Sequence, residues 1–101
     1  MRRRAKLLLH EKITDHEGGI IEAVVWQVPR SVTYPEGVKY RLVHIPPGQA
    51  DPDVLYDVHA GKGHHKQLQG KERPYDFEDV DSLVGDFLDD VQRVRDKGDK
   101  P

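Results

Sequence analysis

Two adjacent histidines sit between lysines in the stretch Gly61-Lys62-Gly63-His64-His65-Lys66, and Tyr56-Asp57-Val58-His59 leads into it. Imidazole titrates near neutrality and can give or take a proton, while lysine and arginine neutralise charge building on a phosphoryl group. Those groups suffice for metal-free cleavage of RNA: the substrate's own 2′-hydroxyl is the nucleophile, and the protein only moves protons and holds charge. On this reading His64, His65 and Lys62 are catalytic, and Lys66 and Arg41 bind the phosphate. Glycines on both sides of Lys62 allow the tight turn that brings backbone close to an anion. The same composition also suits a solvated connector with no chemistry.

Asp57 interrupts an apolar strand, where it can orient a histidine or hold Lys62 or Arg41; a solvent-facing strand residue is the simpler alternative. Tyr40 and Tyr56, with Tyr75, are candidates to stack on bases beside the basic residues, against the alternative of core packing with a satisfied hydroxyl. Trp26, in the most apolar strand, is expected in the core. Asp57, His59, His64 and His65 offer metal-binding donors, but neighbouring histidines rarely point at one ion and the spacing matches no known site. Neither metal nor cofactor is expected.

These residues need rigid elements behind them. Ala5–Ile13 reads as a strand, with Leu7, Leu9 and Ile13 on one face and Lys6, Leu8, His10 and Lys12 on the other. Ile20–Val28 is rich in β-branched residues and is the best candidate for an interior strand, joined to the first as an antiparallel hairpin. Val38–Ile45 alternates, so that Val38, Tyr40 and Leu42 face the core and Lys39 and Arg41 lie about 7 Å apart on the other side. Val54–Val58 gives a fourth strand, with Val54, Tyr56 and Val58 on one face and Leu55, Asp57 and His59 on the other. A short fifth is expected around His65–Leu68, and the rest of Gln67–Pro74 reads as irregular. From Asp79 the period changes: Val80, Leu83, Val84, Phe87, Leu88, Val91 and Val94 form one helical stripe. Asp79 is the expected N-cap, and Gly98 and Pro101 are the expected stop.

The architecture that follows is a single α+β domain over 1–101. It has a four- to five-stranded, mainly antiparallel sheet with the active loop in 5–68, and one long C-terminal helix, 79–97, packed on one face. The charge is uneven: residues 1–75 carry 12 basic and 9 acidic side chains, and 76–101 carry 4 and 9. A net charge of −2 gives no bulk attraction to nucleic acid or membrane. Cysteine is absent, which excludes disulfides, thiolate zinc sites and a cysteine nucleophile. Only three leucines follow the arginines Arg2–Arg4, too short an apolar run for an export signal or a membrane span, so a cytoplasmic protein is expected. Those arginines and the last few residues are expected to fray in solvent.

The order Ala5-Lys6-Leu7, Val25-Trp26-Gln27-Val28-Pro29, Lys39-Tyr40-Arg41-Leu42, Tyr56-Asp57, Gly61-Lys62-Gly63-His64-His65-Lys66, Tyr75-Asp76-Phe77 and Leu83-Val84-Gly85-Asp86-Phe87 resembles the TumE family of toxin-antitoxin toxins. The family loop usually reads Gly-Lys-Gly-Asp-His-Arg-His. Lys62 and His65 match its lysine and first histidine, and Lys66 stands for the arginine. His64 replaces the aspartate and Gln67 the second histidine, so in a catalytic pair His64 would have to stand in from the other side. The resemblance implies a helix-turn-helix antitoxin as partner and RNA or the translation machinery as target. Two rival readings use the same residues: a non-enzymatic module that binds RNA or its partner, and a homodimeric scaffold joined through a sheet face carrying Leu8, Val43 and Ile45.

Overall fold

The structure is a computed structural model and describes residues 5–59 and 61–98. The arginine run Arg2–Arg4 and the chain end beyond residue 98 lie outside the described residues. Six strands, β1 (Lys6–Thr14), β2 (Ile20–Gln27), β3 (Val38–Ile45), β4 (Val54–His59), β5 (Gly63–Leu68) and β6 (Lys71–Pro74), precede one helix, α1 (Val80–Gly98). The strands pair in chain order, each antiparallel to the next, as one meander.

The expected α+β sheet-plus-helix is present, with more strands than the four to five foreseen. β5 begins earlier, at Gly63, and β6 occupies a stretch that reads as irregular. Backbone ladders do not require apolar side chains, and β6 is an exposed edge strand of Lys71, Glu72, Arg73 and Pro74, the composition that protects an open edge. Gln69 (φ 51°) and Gly70 (φ 83°) turn the chain between β5 and β6 with both residues at positive φ, as a two-residue hairpin requires.

Alternation along the strands sends Ala23 and Val25 of β2, Val38, Tyr40 and Leu42 of β3, and Val54, Tyr56 and Val58 of β4 to one face. Leu83, Phe87 and Val91 of α1 close over them. The helix crosses β4, so β3 and β4 are the most buried strands, and β2, expected to be the best covered, is only partly so. An irregularity between Leu7 and Leu9 sets Leu7 opposite Trp26 and Leu9 opposite Val25. These two leucines therefore do not share a face. Trp26 is half-buried on the face away from the helix, not in the core.

Asp79 caps α1 by accepting the Ser82 N–H at 2.7 Å, with Asp81 in the first turn and Arg95 and Lys97 in the last, where the helix dipole favours them. The stripe is displaced slightly from expectation: Leu88 is 47% exposed, whereas Asp90 is buried at 4%. Asp90 is satisfied there by Lys66 Nζ at 3.0 Å and by the Tyr56 hydroxyl, which donates to the same oxygen. Arg95 reaches back 3.0 Å to Asp15 in the β1–β2 turn. Among the described residues no helix is long and apolar enough to cross a membrane.

Helix docking thus combines apolar burial with polar tethers, among them Asp90 to Lys66 and Arg95 to Asp15. Phe87→Ala is expected to cost about 3 to 5 kcal/mol in urea unfolding. Asp90→Ala is expected to cost about 3 kcal/mol, because the Lys66 ammonium, 23% exposed, loses its counter-ion. An Asp90→Ala loss below about 0.5 kcal/mol would show that the tether contributes nothing.

Candidate functional site

The pleat of β5 divides the residues that the sequence places side by side. His65 lies opposite Asp57, His64 opposite Val58 and Lys66 opposite Tyr56, and residues paired across a ladder share a face. Lys62 occupies the turn before β5, where Gly61 (φ 84°) and Gly63 (φ 74°) adopt backbone that other residues resist.

On the face away from the helix, His65 Nε2 is 2.7 Å from Asp57 Oδ1, and His59 Nε2 is 3.1 Å from Asp57 Oδ2. The two imidazoles stack with centroids 5.1 Å apart and planes 13° from parallel. Asp57 and His65 are each 7% exposed, whereas the His59 side chain is 60% exposed. Despite the 2.7 Å approach, the His65 nitrogen is not aligned as a hydrogen bond, and Asp57 Oδ1 and His65 Nδ1 have no hydrogen-bond partner among the described residues. Glu72 Oε1 is 3.6 Å from His65 Nε2 and 3.7 Å from Lys62 Nζ. A shallow depression of ≈ 280 Å³ is lined by Lys62, His64, His65, Glu72, Arg73 and Pro74. Arg41 is exposed directly across from Asp57, and Lys39 lies two residues along the same strand, opposite Trp26. An indole, two cations and a His–Asp–His cluster therefore share one uncovered surface.

The other face uses its polar groups differently. His64 Nδ1 is 2.8 Å from the Tyr40 hydroxyl and its Nε2 is 2.8 Å from Glu36 Oε1. A carboxylate can only accept, so Nε2 donates to Glu36, and the tautomer with its proton on Nε2 leaves Nδ1 to accept from Tyr40. Phe77 stacks on the same ring at 4.8 Å. With both nitrogens engaged, His64 has no free lone pair, although it lines the same shallow depression as His65. Burial pushes the Tyr40 hydroxyl well above its ordinary range, which keeps it a donor. Lys66 binds Asp90 and lies 5.5 Å from the centre of the Tyr56 ring. Burial, together with the bond to Asp90, raises the Tyr56 hydroxyl in the same sense.

Of the candidate residues, Lys62, His65, Asp57 and Arg41 share the open side, and His64, Lys66, Tyr40 and Tyr56 do not. Tyr40 (3% exposed) and Tyr56 (0%) are core residues whose hydroxyls are already bonded, so no base can stack on them. His64 cannot stand in for a missing second histidine, because alternation turns it to the wrong face. His59 is the second imidazole beside His65. Counting by two along β4 from Asp57 reaches it, and that period was the available signal. In the sequence His59 shares the Asp57 face but figures only as a metal donor, Trp26 is assigned to the core because an apolar run does not reveal which face is covered, and Glu72 is missed for want of a recognised strand.

The sequence model of one protein family, described as Toxin TumE, matches residues 3–95. No curated protein and no solved structure matches the chain.

The Glu36–His64 bond also predicts an acid sensitivity. That hydrogen bond, its largest influence, holds the Glu36 carboxyl below its ordinary 4.5. A depressed carboxyl contributes stability that is present above its unfolded value and is lost as pH falls through the lowered folded value. Glu36→Gln should therefore flatten the decline of the urea midpoint below pH 4.5 relative to the parent. Superimposable pH profiles would show that Glu36 does not couple to folding.

Proposed function

The chain belongs to the TumE family of toxins, the toxin components of toxin-antitoxin systems, and from that premise we propose that it cleaves RNA without a metal. The observation that carries this reading is the open face itself, where Asp57, His59 and His65 adjoin Lys62, Arg41, Lys39 and Trp26. Single-stranded RNA is recognised by cations along its backbone and an aromatic surface under a base, and this face offers both. Arg41 and Lys62 hold the phosphate, and Trp26 stacks. His59, the exposed imidazole, takes the 2′-hydroxyl proton as the O2′–P bond forms. His65 protonates the 5′-oxygen as the P–O5′ bond breaks, leaving a 2′,3′-cyclic phosphate and a 5′-hydroxyl. Asp57 orients both rings and stabilises each when charged. The role read for His64 passes to His59, and Lys66 becomes a structural cation.

An antitoxin is the partner that the family implies, and the proposal takes it to be of the helix-turn-helix type, acting with the toxin in the cytoplasm. One observation favours binding without chemistry: Asp57 and His65 are deeply set at 7% exposure, so the face could hold RNA or the antitoxin through its cations alone. A homodimer through the apolar part of this face has less to use, since Leu8 is 44% exposed but Val43 is buried at 2%.

Purified chain, freed of antitoxin and kept in EDTA, should cut RNA to 2′,3′-cyclic ends. His59→Ala and His65→Ala should each slow cleavage by roughly 10² or more. His64→Ala, with its folding checked by urea titration, should stay within about tenfold of the parent. Binding that weakens steeply with salt and yields no product under any condition would replace cleavage by the binding module.

A further inference from the structure

Asp57, His59 and His65 have a second chemical capacity. We propose that these three residues form a binding site for one divalent transition-metal ion of the zinc class. Adjacent histidines such as His64 and His65 rarely point at one ion, and the sequence spacing of the four donors matches no known site. The β-pleat removes His64, and the remaining donors come from two strands in fixed register, His65 from β5 and Asp57 and His59 from β4.

Each residue offers one donor atom, and these atoms all lie within 4.8 Å of one another. Zinc bonds of 2.0–2.2 Å arranged tetrahedrally place neighbouring donors roughly 3.3 Å apart. Asp57 Oδ1 is 2.7 Å from His65 Nε2 and Asp57 Oδ2 is 3.1 Å from His59 Nε2, so each imidazole faces its own carboxylate oxygen at close to that spacing. Hydrogen bonding explains the cluster less well. Asp57 Oδ1 is buried and aimed at His65 Nε2, yet it accepts no hydrogen bond among the described residues. A buried carboxylate oxygen without a donor is costly, and a shared cation relieves that cost directly.

Ligand chemistry sets the class. Two imidazoles and one carboxylate suit zinc, cobalt or nickel, whereas magnesium and calcium take oxygen donors. The exposed side of His59 leaves a coordination position open to solvent. On the reading that the same two imidazoles transfer protons to and from RNA, which this consequence rests on, an occupied site ties up both rings and switches cleavage off.

The test uses the full chain stripped with chelator and then titrated with Co²⁺ and Zn²⁺, read by visible d–d absorption and equilibrium dialysis. One ion should bind per chain. His59→Ala, an exposed substitution, and the conservative Asp57→Asn should each weaken binding at least about 100-fold, while His64→Ala should not. Parent chain that binds neither ion more tightly than His59→Ala overturns the site, as does full retention in Asp57→Asn. RNA cleavage followed in the same samples separates the two ideas. Stimulation by Zn²⁺ overturns the off-switch. Stoichiometric binding by a chain that cuts no RNA with or without chelator supports the metal site and removes only the RNA reading.

Discussion

Asp57 is held opposite His65 by the antiparallel ladder between β4 and β5, and much of the molecule depends on that one pairing. Register in a sheet has a side-chain period of two, so sliding β5 by a single residue would exchange every side chain between the faces. His64 would then meet Asp57, while His65 would face the aromatic cluster of Tyr40 and Phe77. What prevents the slip is the helix side. Tyr56, Val58 and Leu68 must meet Leu83, Phe87 and Val91, and Lys66 must reach Asp90. The core thereby fixes a cluster that lies on the opposite side of the sheet and touches none of the helix.

Two polar networks lie on the helix side of the sheet. Lys66, Tyr56 and Asp90 meet at β4, β5 and α1, and Tyr40, His64 and Glu36 meet where the β2–β3 connection passes the sheet. Each is closed: the carboxylate accepts, the hydroxyl donates, and His64 is fixed in one tautomer. The His–Asp–His cluster differs in kind. It is buried on one side, open on the other, and contains atoms with unmade bonds. Buried groups left unsatisfied among the described residues, here Asp57 Oδ1 and His65 Nδ1 as well as His44 Nε2 elsewhere in the chain, are where a proton donor or a cation has something to gain.

The helix, its cap and the four main strands were legible because an apolar stripe of period 3.6 and alternation of period two are direct images of burial. β6 was not, since Lys71–Pro74 is held by backbone pairing at an edge and buries nothing. The site was half legible. Lys62, His65, Asp57 and Arg41 were chosen by residue type, as were His64 and Lys66, and type says nothing about face. Once Gly63–Leu68 is a strand, the odd and even members separate at once. With a strand expected only around His65–Leu68 and a loop over Gly61–Lys66, His64 stays outside the period that sorts it. Trp26 failed for the complementary reason: in Ile20–Gln27 apolar residues occupy both faces, and only the position of the helix decides which face is core.

The departure at Gln67 gains a geometric meaning from the same ladder. Gln67 lies on the open face, two residues beyond His65 and opposite Leu55, while His59 lies opposite Gly63, on the other side of His65. A histidine at 67, as the resemblance would have it, is a neighbour of His65 two residues on along the same strand, whereas His59 is its diagonal neighbour across the ladder, displaced in the opposite direction. The direction matters. An imidazole at 67 would draw the pair toward the β5–β6 turn, whereas His59 draws it toward the glycine turn that carries Lys62, and it stacks on His65 beside Asp57. With His59 in that place, the two imidazoles and the nearest turn lysine lie at the same end of the hairpin.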